Sequence, residues 1–219
     1  MLAFDELNRL SRELPERSIP IDRYFDEMNL PVGEKEDRKE FARKLEDELF
    51  EIMVLIYTVI EQQTLGNIPA VTARLEETIK DLVSEYTVPD SEMLSYINQY
   101  STNFVDTTVK HLQTAAEGEE EKAAYYVSED RARYNAENEA NTIFNYEQFR
   151  QAKADGFTRK QWITMKDERV RRTHAKIDGT TIPIDGFFQV GDYLMRFPKD
   201  WDNGGPEECV NCRCTLRFL

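Results

Sequence analysis

Apolar residues recur at three-to-four spacing through most of the first 150 positions, then give way to short mixed stretches punctuated by Gly and Pro. A short amphipathic segment, 4–14, stops at Pro15, and Ser18-Ile19-Pro20 forces an extended or turning link. Residues 36–64 predict a long helix with Phe41, Leu45, Leu49, Ile52, Met53, Ile56 and Ile60 inward. The Gly66-Asn67-Ile68-Pro69 run breaks it. A second helix is expected over 70–86, with Val71, Leu75, Ile79 and Leu82 inward, and a third from Pro89 to about Ala116, with Leu94, Ile97, Tyr100, Phe104, Val105, Val109 and Leu112 as its apolar face. Short connections let these three form an antiparallel bundle. The acidic run 117–121 marks a hinge or a helix start, because carboxylates favour that end of the helix dipole. A fourth helix is expected over 120–154, stopped by Asp155-Gly156.

Beyond residue 156 the texture changes. Residues 157–165 mix Trp, Ile and Thr as a strand does, although Thr158 and Gln161 have capping-box spacing. Eight Gly and Pro residues between Gly179 and Pro206 cut the remainder into short strands and turns. The expected fold class is α+β: a helical domain over 1–118, then a small mixed module over 119–219.

The chain has 42 acidic and 28 basic residues among 219, a formal charge of -14. The excess lies before residue 151, since the last stretch holds 12 basic and 10 acidic side chains. That balance disfavours a dedicated nucleic-acid binder and suits an acidic, protein-facing surface before a near-neutral module. The start is amphipathic and acidic, unlike a signal peptide, and the most apolar run, 52–60, is too short to span a bilayer. A soluble protein made in a cytoplasm is expected.

Candidate chemistry concentrates at the end. If Asp167 starts a helix, Asp167, Arg171 and His174 share one face, as an ion-pair relay or as a carboxylate orienting an imidazole; equally, Asp167 caps the helix and His174 bonds a carbonyl. Cys209, Cys212 and Cys214 form C-x-x-C-x-C, and with His174 they are a candidate tetrahedral zinc set. An extended chain puts Cys212 and Cys214 on one face, which suits joint ligation, plain burial of reduced thiols, or a redox or disulfide role. Arg169, Arg171, Arg172 and Lys176 could touch phosphate, diluted by Asp167, Glu168 and Asp178. No Walker loop, H-E-x-x-H or G-x-S-x-G is present.

Taken in order, Lys160, Trp162, Asp167, Arg169, Val170, Arg171, His174, Asp178, Gly179, Phe187, Pro198, Asn211, Cys212, Arg213 and Cys214 form a string that resembles the signature of the phage Mu F-like family, the minor head or head-morphogenesis proteins of tailed phages. The resemblance spans roughly 120–219, and residues 131–145 (RARYNAENEANTIFN) are similar to the helix preceding that signature. It implies a strand at 157–165 and only Cys212 and Cys214 of the cysteines. It further implies a non-enzymatic virion component that joins the portal and other capsid or scaffold proteins in procapsid assembly. Packaging, ejection and a secondary contact with packaged DNA are also implied, without any membrane role. Two other classes stay open: a metal-dependent nuclease or toxin-like enzyme using His174 with Asp167 and Arg171, and a zinc-stabilised binding module with no phage role.

Overall fold

The computed structural model describes residues 3–114 and 118–219. Elements follow in the order α1 (Phe4–Ser11), α2 (Ile21–Asp26), α3 (Val32–Glu61), a 3-10 turn (Leu65–Asn67), α4 (Ile68–Ser84), α5 (Ser91–Thr114), α6 (Glu120–Tyr126) and α7 (Glu129–Ala154). After them come β1 (Arg159–Ile163), α8 (Arg172–Ala175), β2 (Thr181–Pro183), β3 (Phe188–Val190), β4 (Tyr193–Met195), α9 (Pro206–Cys209) and β5 (Thr215–Phe218). The fold class is α+β. The chain forms two compact units, one of residues Met1–Pro20 and Phe41–Ala136, the other of Ile21–Glu40 and Glu137–Leu219.

The first unit is helical. The long apolar stripe of α3 supplies Phe41, Leu45, Leu49, Ile52, Met53 and Ile56 to its core, and α4 packs on α5 through Val71, Leu75, Ile79, Ile97, Phe104 and Val105. Pro69 sits in the first turn of α4, where its missing N–H costs nothing. Asp90 caps α5 by accepting from Met93 N at 2.9 Å. Leu94, expected inward, is instead exposed. The expected extension of α5 to Ala116, and the start of the acidic run at Glu117, lie outside the described residues. The single helix expected over 120–154 is two helices. Ser128 ends the first and caps the second, its Oγ accepting from Arg131 N at 3.0 Å. Apolar periodicity does not register such a break, because the hydrophobic stripe resumes after one capping residue. Asp130 then accepts from the backbone N of Arg17 and Ser18, at 3.0 and 2.9 Å, and fixes the segment leading to Pro20.

The second unit carries both sheets. A three-stranded antiparallel sheet has the order β2-β1-β5, with Trp162 facing Leu216 across β1 and β5. β3 and β4 form a separate hairpin pairing Phe188 with Met195. Alternation along β1 turns Lys160 and Trp162 inward. The core beneath is Trp162, Phe188, Val190, Met195, Cys212 and Cys214, with Trp162 and Phe188 edge to face at 5.1 Å between ring centres. Phe187, the aromatic of the sequence signature, points outward and its neighbour Phe188 fills the core.

Candidate functional site

The terminal string Asn211-Cys212-Arg213-Cys214 is the part of the second unit on which most polar chemistry converges. Its backbone is held by helix α7. Asn138 Oδ1 accepts from Asn211 N at 3.0 Å, Asn141 Nδ2 donates to Cys212 O at 2.9 Å, and Asn145 Nδ2 donates to Cys214 O at 3.0 Å. The match is geometric, since four helical residues rise about 6 Å while two extended residues span about 6.6 Å. Asn141 and Asn145 therefore meet alternate carbonyls of the segment that leads into β5. Arg38, fully buried, donates to both amide oxygens, reaching Asn145 Oδ1 at 3.2 Å, and so orients both amides with their N–H groups toward the strand. Burial pulls the Arg38 pKa down to about 10. Asn211 adopts φ 57°, a left-handed conformation that Asn tolerates better than most residues.

With the backbone fixed, alternation decides where the side chains go. Cys212 and Cys214 turn inward to one imidazole: His174 Nδ1 lies 3.5 Å from Cys212 Sγ and 3.3 Å from Cys214 Sγ. Arg213, between them, turns the other way and bonds Asp167 Oδ2 at 2.5 Å and Glu27 Oε2 at 3.3 Å. The opposite ring nitrogen of His174 meets Glu208 Oε2 at 2.9 Å, and the same oxygen accepts from Thr173 Oγ1 at 2.8 Å. Trp162 closes the site edge-on to the imidazole at 5.5 Å. His174, Cys212 and Cys214 are each 3% exposed or less.

The electrostatics follow from this contact set. Burial pushes the Cys212 thiol up, but hydrogen bonds with Cys214 and His174 outweigh it and hold Cys212 well below the usual thiol range. Cys214, donating to Cys212 and buried, is driven up. His174 is pulled down by burial but raised on balance by Cys212 and Glu208. The shifts thus favour the charged form of Cys212 and of His174 and the neutral form of Cys214.

Not every candidate residue joins this group. Cys209 stands apart, its thiol directed at Asp200 O at 3.7 Å and raised to about 12 by burial. All three cysteines are unpaired. Asp167 does not start a helix: residues 167–170 form a turn, and α8 begins only at Arg172. The expected Asp167, Arg171 and His174 face is therefore corrected. Asp167 instead accepts from Arg169 N at 3.1 Å, closing a tight local turn that competes with helix, and receives Arg213. Arg171 bonds the carbonyl of Val210, while Arg169, Arg172 and Lys176 are exposed. Asp178 accepts from Thr164 N and Oγ1 at 2.8 and 3.0 Å, and Gly179, at φ 74°, donates to Trp162 O at 2.8 Å. That Asp-Gly pair fixes the loop carrying His174 back onto β1.

Glu208 is the residue that sequence reasoning missed, because a carboxylate beside Glu207 reads as solvated. The Asn138, Asn141 and Asn145 spacing was the available signal, since three Asn on one face of a helix work against helix propensity unless they are used.

Chemically, carboxylate, imidazole and thiol stand in the order of a thiol-hydrolase relay. The adjoining cavity, however, is about 20 Å³, room for about one water.

The model of a family described as "Phage Mu protein F like protein" matches residues 75–217. The chain is also similar to the NAD(+)--arginine ADP-ribosyltransferase EFV of Enterococcus faecalis (strain ATCC 700802 / V583). The two are 35% identical over 57 residues, 26% of this chain and 11% of that protein. The chain thus spans about a tenth of that relative's length. No solved structure matches.

Proposed function

The chain belongs to the phage Mu protein F like family, proteins of phage head morphogenesis, and on that footing we propose that it is a non-enzymatic minor head protein that joins the portal during procapsid assembly. The family match, covering residues 75–217, carries this reading. The closed site around His174 supports a structural role, because the cavity beside it admits about one water. Docking is assigned to the acidic helical unit, whose exposed apolar side chains include Leu65, Val88 and Leu94. Packaged DNA is a secondary partner, met through Arg169, Arg172 and Lys176. Assembly takes place in the host cytoplasm and the product resides in the virion, near the portal. Among the described residues no helix is long and apolar enough to cross a membrane.

The similarity to an ADP-ribosyltransferase does not carry that activity over. An aligned stretch of 57 residues is near the lower limit of an independent domain. It supports a module common to proteins whose remaining parts differ.

The test is co-expression of the full chain with the portal and major capsid proteins of its own phage, followed by sedimentation of procapsids. The chain should travel with the portal, and the joint substitution of Leu65, Val88 and Leu94 by Asp should release it. Procapsids that form with portal yet without this chain, at its normal expression level, would remove the portal reading.

A further inference from the structure

We propose that His174 Nδ1, Cys212 Sγ and Cys214 Sγ bind one Zn²⁺ ion, with Glu208 fixing the imidazole from behind and Cys209 taking no part.

These three side chains form a buried group whose donor atoms all lie within 4.8 Å of one another. Zn–S and Zn–N bonds of about 2.3 and 2.05 Å at a tetrahedral angle put sulfur and nitrogen about 3.5 Å apart. The two observed separations are 3.3 and 3.5 Å. The imidazole nitrogen thus stands nearly equidistant from both sulfurs, each at the separation that two ligands of one metal ion would have. A metal sitting between all three fits that arrangement. The cavity of about 20 Å³ against the same three residues leaves room for about one solvent ligand in the fourth position. Arg169 and Arg171 also line it, and their charge favours the thiolates that zinc needs.

Glu208 supplies the outer contact. A carboxylate accepting from Nε2–H, at 2.9 Å here, leaves Nδ1 as the ligating nitrogen and raises its basicity. Thr173 holds the same carboxylate oxygen. Cys209, directed at Asp200 O, is excluded by position rather than by spacing in the sequence. Three protein ligands and one solvent site is the ligand count of catalytic zinc, but a cavity of one water's size makes the role structural.

The test uses the full chain, purified without chelator and analysed for metal. One zinc per chain is expected, retained in Cys209→Ser and lost in Cys212→Ser and Cys214→Ser. Because the latter variants could fail to fold, Co²⁺ is also titrated into chelator-treated wild type and Cys209→Ser protein. Both should develop thiolate-to-cobalt charge-transfer absorption at one equivalent, and Glu208→Gln should weaken binding by about 10- to 100-fold. Wild-type protein that takes up neither zinc nor cobalt would overturn the proposal, as would loss of the metal in Cys209→Ser with its circular dichroism unchanged.

Discussion

Asn145 on helix α7 donates its side-chain amide to the carbonyl of Cys214 at 3.0 Å, and to Pro198 O at 3.3 Å, from a fully buried position. One side chain thereby donates to two carbonyls that lie just outside the strands. Asn145→Ala leaves both unpaired and is expected to cost about 1–3 kcal/mol. Asn145→Asp should cost at least as much, because a carboxylate cannot donate. Both tryptophans, Trp162 and Trp201, lie in the second unit, so urea unfolding followed by tryptophan fluorescence reports this effect directly.

Lys160 points into the core of the second unit, its ammonium 4.4 Å from the Phe149 ring centre and without a hydrogen-bond partner. Burial brings its pKa from 10.5 down to about 8. Between those values the unfolded chain holds a proton that the folded chain has released, so stability rises as pH climbs through that window. The gain by its upper end is on the order of 2–3 kcal/mol. Lys160→Met should flatten the slope and raise stability at pH 7. Urea midpoints at pH 7, 8.5 and 10 test both statements, and an unchanged slope in the variant would assign the pH dependence elsewhere.

Arg213 bonds two carboxylates that lie in different directions, Asp167 and Glu27, while remaining buried itself. A forked guanidinium reaches both through separate nitrogens, a spread that the compact ammonium of Lys does not have. Arg213→Lys is therefore expected to lose about 1–2 kcal/mol and Arg213→Ala somewhat more, both with little dependence on salt because the cation is shielded from solvent. A loss that disappears at 0.5 M salt would place the pair at the surface instead.

At Gly191 a side chain would meet Glu208 Oε1 at 2.5 Å, and the backbone there has φ 58°. Gly191→Ala combines about 1 kcal/mol of backbone strain with pressure on the carboxylate that holds His174. Its stability loss should exceed that of Gly179→Ala, which has φ 74° but open space around it. Comparing the two melts separates the backbone effect from the displaced Glu208.

The helical stripes of α3, α4 and α5 were legible because periodic burial is a local property of sequence. So was the β1 strand, from its mixture of Trp, Ile and Thr and the resemblance around it. The pairing of Cys212 with Cys214 on one face followed from the two-residue period of an extended chain. Asp167 was misread as a helix cap because its side chain bonds Arg169 N in a turn, a competition that spacing does not resolve. Arg38 sits among Glu and Lys residues that read as solvated. Its burial depends on Asn141 and Asn145, more than 100 positions away. Glu208 was hidden likewise, since only the folded loop brings it to His174.

The asparagines of α7 grip carbonyl and amide groups of the terminal strand, and those groups are the same whatever side chains the strand carries. Identity can therefore drift at outward positions such as Val210 or Arg217 with little consequence. Length cannot: one residue added or removed between Asn211 and Cys214 would slip the main chain against the helix, undo every amide contact beyond it, and swap the inward and outward faces together. The end of this chain should thus accept substitutions at those exposed positions while it rejects insertions and deletions.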